Sequence, residues 1–333
     1  MSFNQFILKE QYQKVKGLGD RLEMMKQQIE WEPFIPLVKK VFHGDETGPG
    51  RPHTDERIVV RSILLQAWYG LSDEELEFQC HDRLSFRNFL GFPENIPDFT
   101  TIWKIRDQLK ENGLDAEIWA ELQNQLDKKG YQIQKGVIQD AAFIEADLGR
   151  KRYSKEKQAE KKGEKIEYTE KQKQHIDKDG TFSVKHGQVH FGYKSHIKID
   201  VNNHLIRENE VTTASLHDNQ IDLVKKGDIA AYRDKGYFGV KIKAKNVKDM
   251  TMKRNTRGKK INGREQKRNI MIGRIRSPGE RPFSVIKRVF NGGRTLVKTL
   301  GRVKIKEMFK CFAFDLYQLV TLEKKKLAIA LKI

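Results

Sequence analysis

Between Gln266 and Lys306 the chain carries twelve Lys or Arg residues and a single acidic one, Glu280, in Ser277-Pro278-Gly279-Glu280-Arg281-Pro282-Phe283. So basic a stretch suits a polyanion, and a carboxylate inside it works against binding unless it has another task. One task is structural. Ser-x-x-Glu is the spacing of a capping box, and Pro278 would fall on the first helical position, where its missing N–H costs nothing. The other is catalytic, with the glutamate holding a divalent metal ion beside phosphates that the cations have gathered. Two aspartates upstream bear on the choice. Asp140 lies at the centre of Gly136-Val137-Ile138-Gln139-Asp140-Ala141-Ala142-Phe143-Ile144, an apolar strand pattern in which a carboxylate must be paired, at a strand end or bound to metal. Asp234 closes the run Ile229-Ala230-Ala231-Tyr232-Arg233, and Asp-x-Gly there is also ordinary turn chemistry.

The composition narrows the partners. The 333 residues include 64 Lys or Arg against 45 Asp or Glu, a formal charge of +19. Nucleic acid is the first partner such a charge suggests, and an anionic membrane surface the second. No apolar run reaches the length of a membrane span, and the segment from Met308 to Leu322, broken by Lys310, Asp315 and Gln318, reads as a core helix. The N-terminus lacks a basic segment followed by an apolar one, which predicts no export signal. Cys80 and Cys311 fall inside helical patterns and read as reduced core thiols. Six histidines lie between His175 and His217, without the spacing or cysteines of a zinc site.

The elements that must position these residues follow in order, and the length suggests two domains. Residues 1–130 read as all-helical. Gly44 to Pro52 is a breaker-rich loop, Thr54 is the expected cap of the helix that Gly70 stops, Ser72 opens another, and Thr100 or Thr101 a third. Short helices joined by tight turns admit a helix-turn-helix, with Arg83, Arg87, Lys104 and Arg106 as phosphate contacts or as an ordinary solvated face. From residue 131 to 333 the order becomes α/β. The strand of Asp140 comes first, followed by a Lys/Glu-rich tract at about 151–180 that reads as an exposed insertion. A hairpin of His190–Val201 with Leu205–Thr213, turning at Asn202-Asn203, comes next. A short helix capped near His217, the strand ending at Asp234, a strand from Met250 to Arg254 and a basic loop from Lys253 to Arg276 precede the Glu280 helix. That helix buries Phe283, Ile286 and Phe290, and a helix over Ile305–Ala330 closes the chain.

The motifs Gln139-Asp140-Ala141, Phe191-Gly192-Tyr193-Lys194-Ser195-His196, Thr212-Thr213-Ala214 with His217-Asp218, Asp234-Lys235-Gly236-Tyr237, and Arg276 with Glu280, Phe283 and Lys287 come in an order and spacing that resemble the DDE transposases of bacterial and archaeal insertion sequences. The resemblance is to the insertion sequence five branch of the insertion-sequence-four-like superfamily. Gly50-Arg51-Pro52 and Asp98-Phe99-Thr100-Thr101-Ile102-Trp103 are similar to its helical region. The resemblance implies a ribonuclease-H-like mixed sheet with flanking helices in the catalytic domain, preceded by an all-helical DNA-binding domain. It implies that Asp140, Asp234 and Glu280 are the catalytic, metal-binding triad for Mg²⁺, with Mn²⁺ as a substitute. Arg276 and Lys287, with Arg281, Lys194 and His196, become contacts to DNA. Seven residues are nearly two helical turns, so Lys287 falls on the face of Glu280, about 10 Å along. Gly273 stands where related branches often have a tyrosine, so no tyrosine role transfers. The function implied is binding of terminal inverted repeats, then strand cleavage and transfer on double-stranded DNA by a cytoplasmic, nucleoid-associated homodimer. Two alternatives remain: a catalytically silent DNA-binding derivative, and a plain metal-dependent nuclease.

Overall fold

The computed structural model describes residues 3–42, 54–148, 155, 158–159, 161–164, 166, 168–169, 176–185 and 187–330. The loop expected at Gly44 to Pro52, with its Gly50-Arg51-Pro52 motif, and half of the 151–180 tract lie outside the described residues. The N-terminal region is helical: α1 (Phe3–Gly17), α2 (Arg21–Lys26), α3 (Ile35–Lys39), α4 (Glu56–Tyr69), α5 (Asp73–Asp82), α6 (Leu84–Leu90), α7 (Phe99–Glu111) and α8 (Leu114–Lys128). Ser72 caps α5 by accepting from the Glu75 amide at 3.1 Å. Two other caps differ from the expectation. Asp55, not Thr54, accepts from Arg57 N at 2.8 Å, and Asp98, not Thr100 or Thr101, accepts from Thr101 N at 2.6 Å. In each case a carboxylate next to the expected threonine is the stronger acceptor for the first-turn amides.

The sheet contains β1 (Val137–Glu145), β2 (Thr181–Lys185), β3 (Gln188–Asp200), β4 (Ile206–Thr213), β5 (Ala230–Arg233) and β6 (Lys248–Thr251), in the order β2-β3-β1-β5-β6, with β4 also paired to β3. β1, β3 and β4 pair antiparallel, whereas β5 joins β1 and β6 joins β5 in parallel, giving a mixed sheet. β2 was not foreseen. It follows the charged tract, whose end is not exposed: Asp177 is buried and accepts from Tyr193 Oη at 2.7 and 2.8 Å and from Thr299 N at 3.1 Å. The helix expected after His217 is only one turn, Asp218–Gln220.

The largest departure is the stretch read as a basic loop. It contains a 14-residue helix, α9 (Gly263–Arg276), begun by a full capping box in which Asn262 accepts from Glu265 N and Glu265 accepts from Asn262 N. A 3₁₀ turn, Ser277–Gly279, links α9 directly to α10 (Glu280–Arg288). Ser277 is in the right-handed helical region, its N–H donates to Gly273 O and no side-chain cap bond starts the Glu280 helix, so the Ser277–Glu280 capping box does not form. The helix had already started at Gly263, fourteen residues earlier, and no free N-terminus remained to be capped.

The chain closes with the 31-residue α11 (Leu300–Ala330), about 46 Å long at 1.5 Å per residue. Its Phe309, Phe312, Ala313, Phe314 and Leu316 are completely buried. One hydrophobic cluster joins them to Leu64 and Leu65 of α4, Leu122 of α8, Ile138 of β1, Ile197 of β3 and Ile286 of α10. Secondary structure changes near residue 130, while a single core continues across that point. Asp315, fully buried on α11, accepts from Ile206 N at 2.8 Å, and Gln318 donates to Asn203 O at 2.6 Å, which ties the β3–β4 hairpin to the helix. Among the described residues no helix is long and apolar enough to cross a membrane.

Candidate active site

Asp140 and Asp234 are brought together by register. β1 and β5 run parallel with Gln139 level with Arg233, so the next residue of each strand is one of the two aspartates. Residues of adjacent strands at one level share a face. The Asp140 carboxyl is pushed above its ordinary range, chiefly by burial and further by Asp234, while Arg276 and the Ala141 N–H pull it down. Asp234 Oδ1 accepts from Gly236 N at 2.8 Å and caps the one-turn helix Lys235–Tyr237, so its turn chemistry and its position at the site coexist. Arg233 anchors this turn. Fully buried, it donates to Thr251 Oγ1 at 2.9 Å, Val240 O at 2.9 Å and Asp249 Oδ2 at 3.2 Å.

The helix pair is set on the same face of β1. Side chains two apart on a strand point the same way, and Ile138 and Asp140 both meet the α9–α10 connection. A Cβ on Gly279 would stand 2.8 Å from Ile138 Cγ2, so only glycine permits this approach. Arg276 Nη2 donates to Asp140 Oδ2 at 2.9 Å. Its Nε is buried with no partner among the described residues. Glu280, one turn beyond Arg276, is exposed. Among the described residues no group of three His, Cys, Asp or Glu side chains is close enough to hold a metal ion, so Glu280 is not gathered with the two aspartates. The donors that do meet are hard carboxylate oxygens, their charge opposed by Arg276 and, more weakly, by Lys185. They fit in kind a hard divalent cation, not a zinc site of His and Cys.

The basic residues are placed unequally. Lys287 is exposed on α10, the helix that begins with Glu280. Arg281 turns toward α11, donating to Gln318 Oε1 with its guanidinium 5.9 Å from the Tyr317 ring. Lys194 and His196, expected as DNA contacts, are both buried. Lys194 donates to Leu216 O at 2.7 Å and pairs with Asp218 at 2.9 Å. His196 lies 2.9 Å from Thr212 Oγ1, and burial lowers its pKa to about 4. In the helical region Arg106 is likewise buried, paired with Asp73 at 2.7 Å. Tyr237 and Arg233 were given no role from sequence. The Tyr237 phenol is buried, its proton held chiefly by burial and then by Asp218, Asp140 and Asp234. An arginine ending an apolar strand immediately before the aspartate was the available signal for Arg233.

Fold and site together define a mixed α/β protein with a helical N-terminal region and two carboxylates at neighbouring strand positions, facing basic helices. Residues 165–316, which include Asp234 and Glu280 and follow Asp140, match the family model described as Transposase DDE domain. Residues 9–108 match the model described as Transposase domain (DUF772). The two matches support a DDE transposase of insertion-sequence type, and with it a DNA-cleaving and DNA-transferring enzyme of a family that uses divalent metal ions. No solved structure matches the chain.

Proposed function

We propose that this protein binds the terminal inverted repeats of an insertion sequence and carries out Mg²⁺-dependent strand cleavage and strand transfer through Asp140, Asp234 and Glu280. The observation that carries the proposal is the pairing of Asp140 with Asp234 by strand register, beside a helix connection whose Arg276 already touches Asp140. The mixed sheet supports a ribonuclease-H-like reading, with four strands in antiparallel pairs, β1 to β4, followed by two parallel ones. Residues 1–130 take end recognition and 131–333 the chemistry. The homodimer, the insertion sequence five branch and the cytoplasmic, nucleoid-associated location belong to the same proposal.

Asp140 and Asp234 would hold the ion, and Glu280, exposed on the first turn of α10, would have to move in to join them. A bound divalent ion activates an attacking oxygen and stabilises a leaving one. Arg276 offsets part of the Asp140 charge. Lys287 offers a further cation along the same helix. Water, then the freed 3′-hydroxyl, are the nucleophiles.

The test uses purified protein with end-containing DNA and Mg²⁺. Glu280→Gln, Asp140→Asn and Asp234→Asn are each expected to lose cutting and joining by at least about 10²-fold, the scale of removing one electrostatic contact to a transition state. Glu280→Gln cutting or joining at the parent rate refutes the proposal. Binding by the parent without metal-dependent cleavage would identify a silent derivative, and cleavage without joining a nuclease.

A further inference from the structure

We infer that the cleft between α4, residues 291–296 and α11 is a binding site for a backbone phosphate of DNA, separate from the carboxylate edge; this rests on the transposase reading. The cleft has a volume of about 160 Å³ and is lined by Arg294, Lys306 and Lys310 together with Gln66 and Asn291. That volume is roughly five water molecules at about 30 Å³ each, enough for a phosphodiester group.

Its walls are held from both sides. Gly70, in the left-handed conformation at φ +63, lets α4 approach so closely that a Cβ would stand 2.6 Å from Phe290 O. Trp68 stacks on Phe290 with centroids 5.0 Å apart. On the other side Glu145, the last residue of β1, donates from its N to Gly293 O at 3.0 Å and accepts from Thr295 N at 2.8 Å. The strand that carries Asp140 thereby positions the segment that carries Arg294.

The cations are not equivalent. Lys310 is occupied, donating to Gly292 O at 3.1 Å and standing 3.3 Å from Glu307. Arg294 is exposed, with a loose contact to Asp147 at 3.4 Å. Lys306 has no hydrogen bond or ion pair among the described residues, although it is only partly exposed. Arg106 and Lys310 add positive potential, Asp73 opposes it, and with burial as the largest cause the Lys306 amine is lowered to about 8. A half-buried ammonium that makes no hydrogen bond or ion pair among the described residues, with further cations around it, is suited to take an anion. The Lys287 side chain passes within 3.5 Å of the Cβ position of Gly293, so the cleft lies next to the Glu280 helix and takes a phosphate some way along the same DNA backbone.

The test measures binding of the full chain to a short fluorescein-labelled duplex over a series of KCl concentrations. Each lost phosphate contact lowers the slope of log affinity against log salt by about 0.9. Lys306→Met and Arg294→Met are each expected to lower the slope by about that amount, and Lys306→Arg to preserve it, with melting temperatures recorded for all. Slopes and affinities equal to the parent's in both Met variants overturn the site. If Lys306→Met does not fold, an unchanged slope in Arg294→Met, whose side chain is exposed, overturns it alone. Failure of the parent to bind duplex overturns the transposase reading and the cleft with it, whereas parent binding with unchanged variants overturns only the cleft.

Discussion

Arg276 and Asp140 set the electrostatics of the candidate site residue by residue. Burial raises the Asp140 carboxyl and Arg276 opposes the rise, so Arg276→Gln should move the acid limb of the cleavage pH profile to higher pH; a rate profile from acid to neutral pH checks this. His196 acts in the other direction. Its pKa falls from 6.5 unfolded to about 4 folded, so the unfolded chain binds the extra proton and stability is lost as pH falls through that window. The difference corresponds to about 3 kcal/mol. His196→Gln should therefore flatten the loss of stability between those pH values, as measured by urea midpoints; an unchanged slope would show that His196 is not buried as a neutral ring.

Two elements carry the geometry, the α9–α10 connection and α11. Gly279→Ala keeps a helical backbone but places a methyl against Ile138, and overpacking of this kind costs about 1–3 kcal/mol. Ile138→Ala in the same chain makes room, so the double variant should lose less stability than the sum of the singles. Additive losses in thermal melts would mean that the helix connection does not press on β1. On α11, the Asp315 carboxyl is raised well above its ordinary range by burial. A carboxyl raised in the folded state makes the fold bind more protons than the unfolded chain, so stability falls as pH rises above its ordinary pKa. Asn can still accept from Ile206 N, and the advantage in melting temperature of Asp315→Asn over the parent should grow from acid to neutral pH.

At the scale of the molecule, α11 lies between the N-terminal helices and the sheet, and one core includes all of them. Phe312, completely buried there, should cost about 3–5 kcal/mol when replaced by Ala. Because the core is shared, the loss should appear as one cooperative transition, with far-UV circular dichroism and tryptophan fluorescence coinciding in urea. Two separated transitions would show that the helical region and the sheet fold independently. The net charge of +19 acts at this scale as well, making association with DNA steeply salt-dependent.

Much of this was legible in the sequence because the signals are local. The apolar run around Asp140, the Asn202-Asn203 hairpin, the stop at Gly70 and the closing helix follow from periodicity and turn chemistry, and the order of motifs around the three carboxylates carried the resemblance. The helix α9 was hidden because eight of its fourteen residues are polar or charged beyond any apolar stripe, and its basic content read as a loop. The burial of Lys194 and His196 was not legible because strand alternation gives a side chain's face but not what covers that face. Only the tertiary structure decided that Asp140 and Asp234 share one level of a parallel pair, that Arg276 reaches back to Asp140, and that Lys306 is left without a partner. Those are contacts between segments tens to hundreds of residues apart, fixed by packing of the whole core, and no local pattern encodes them.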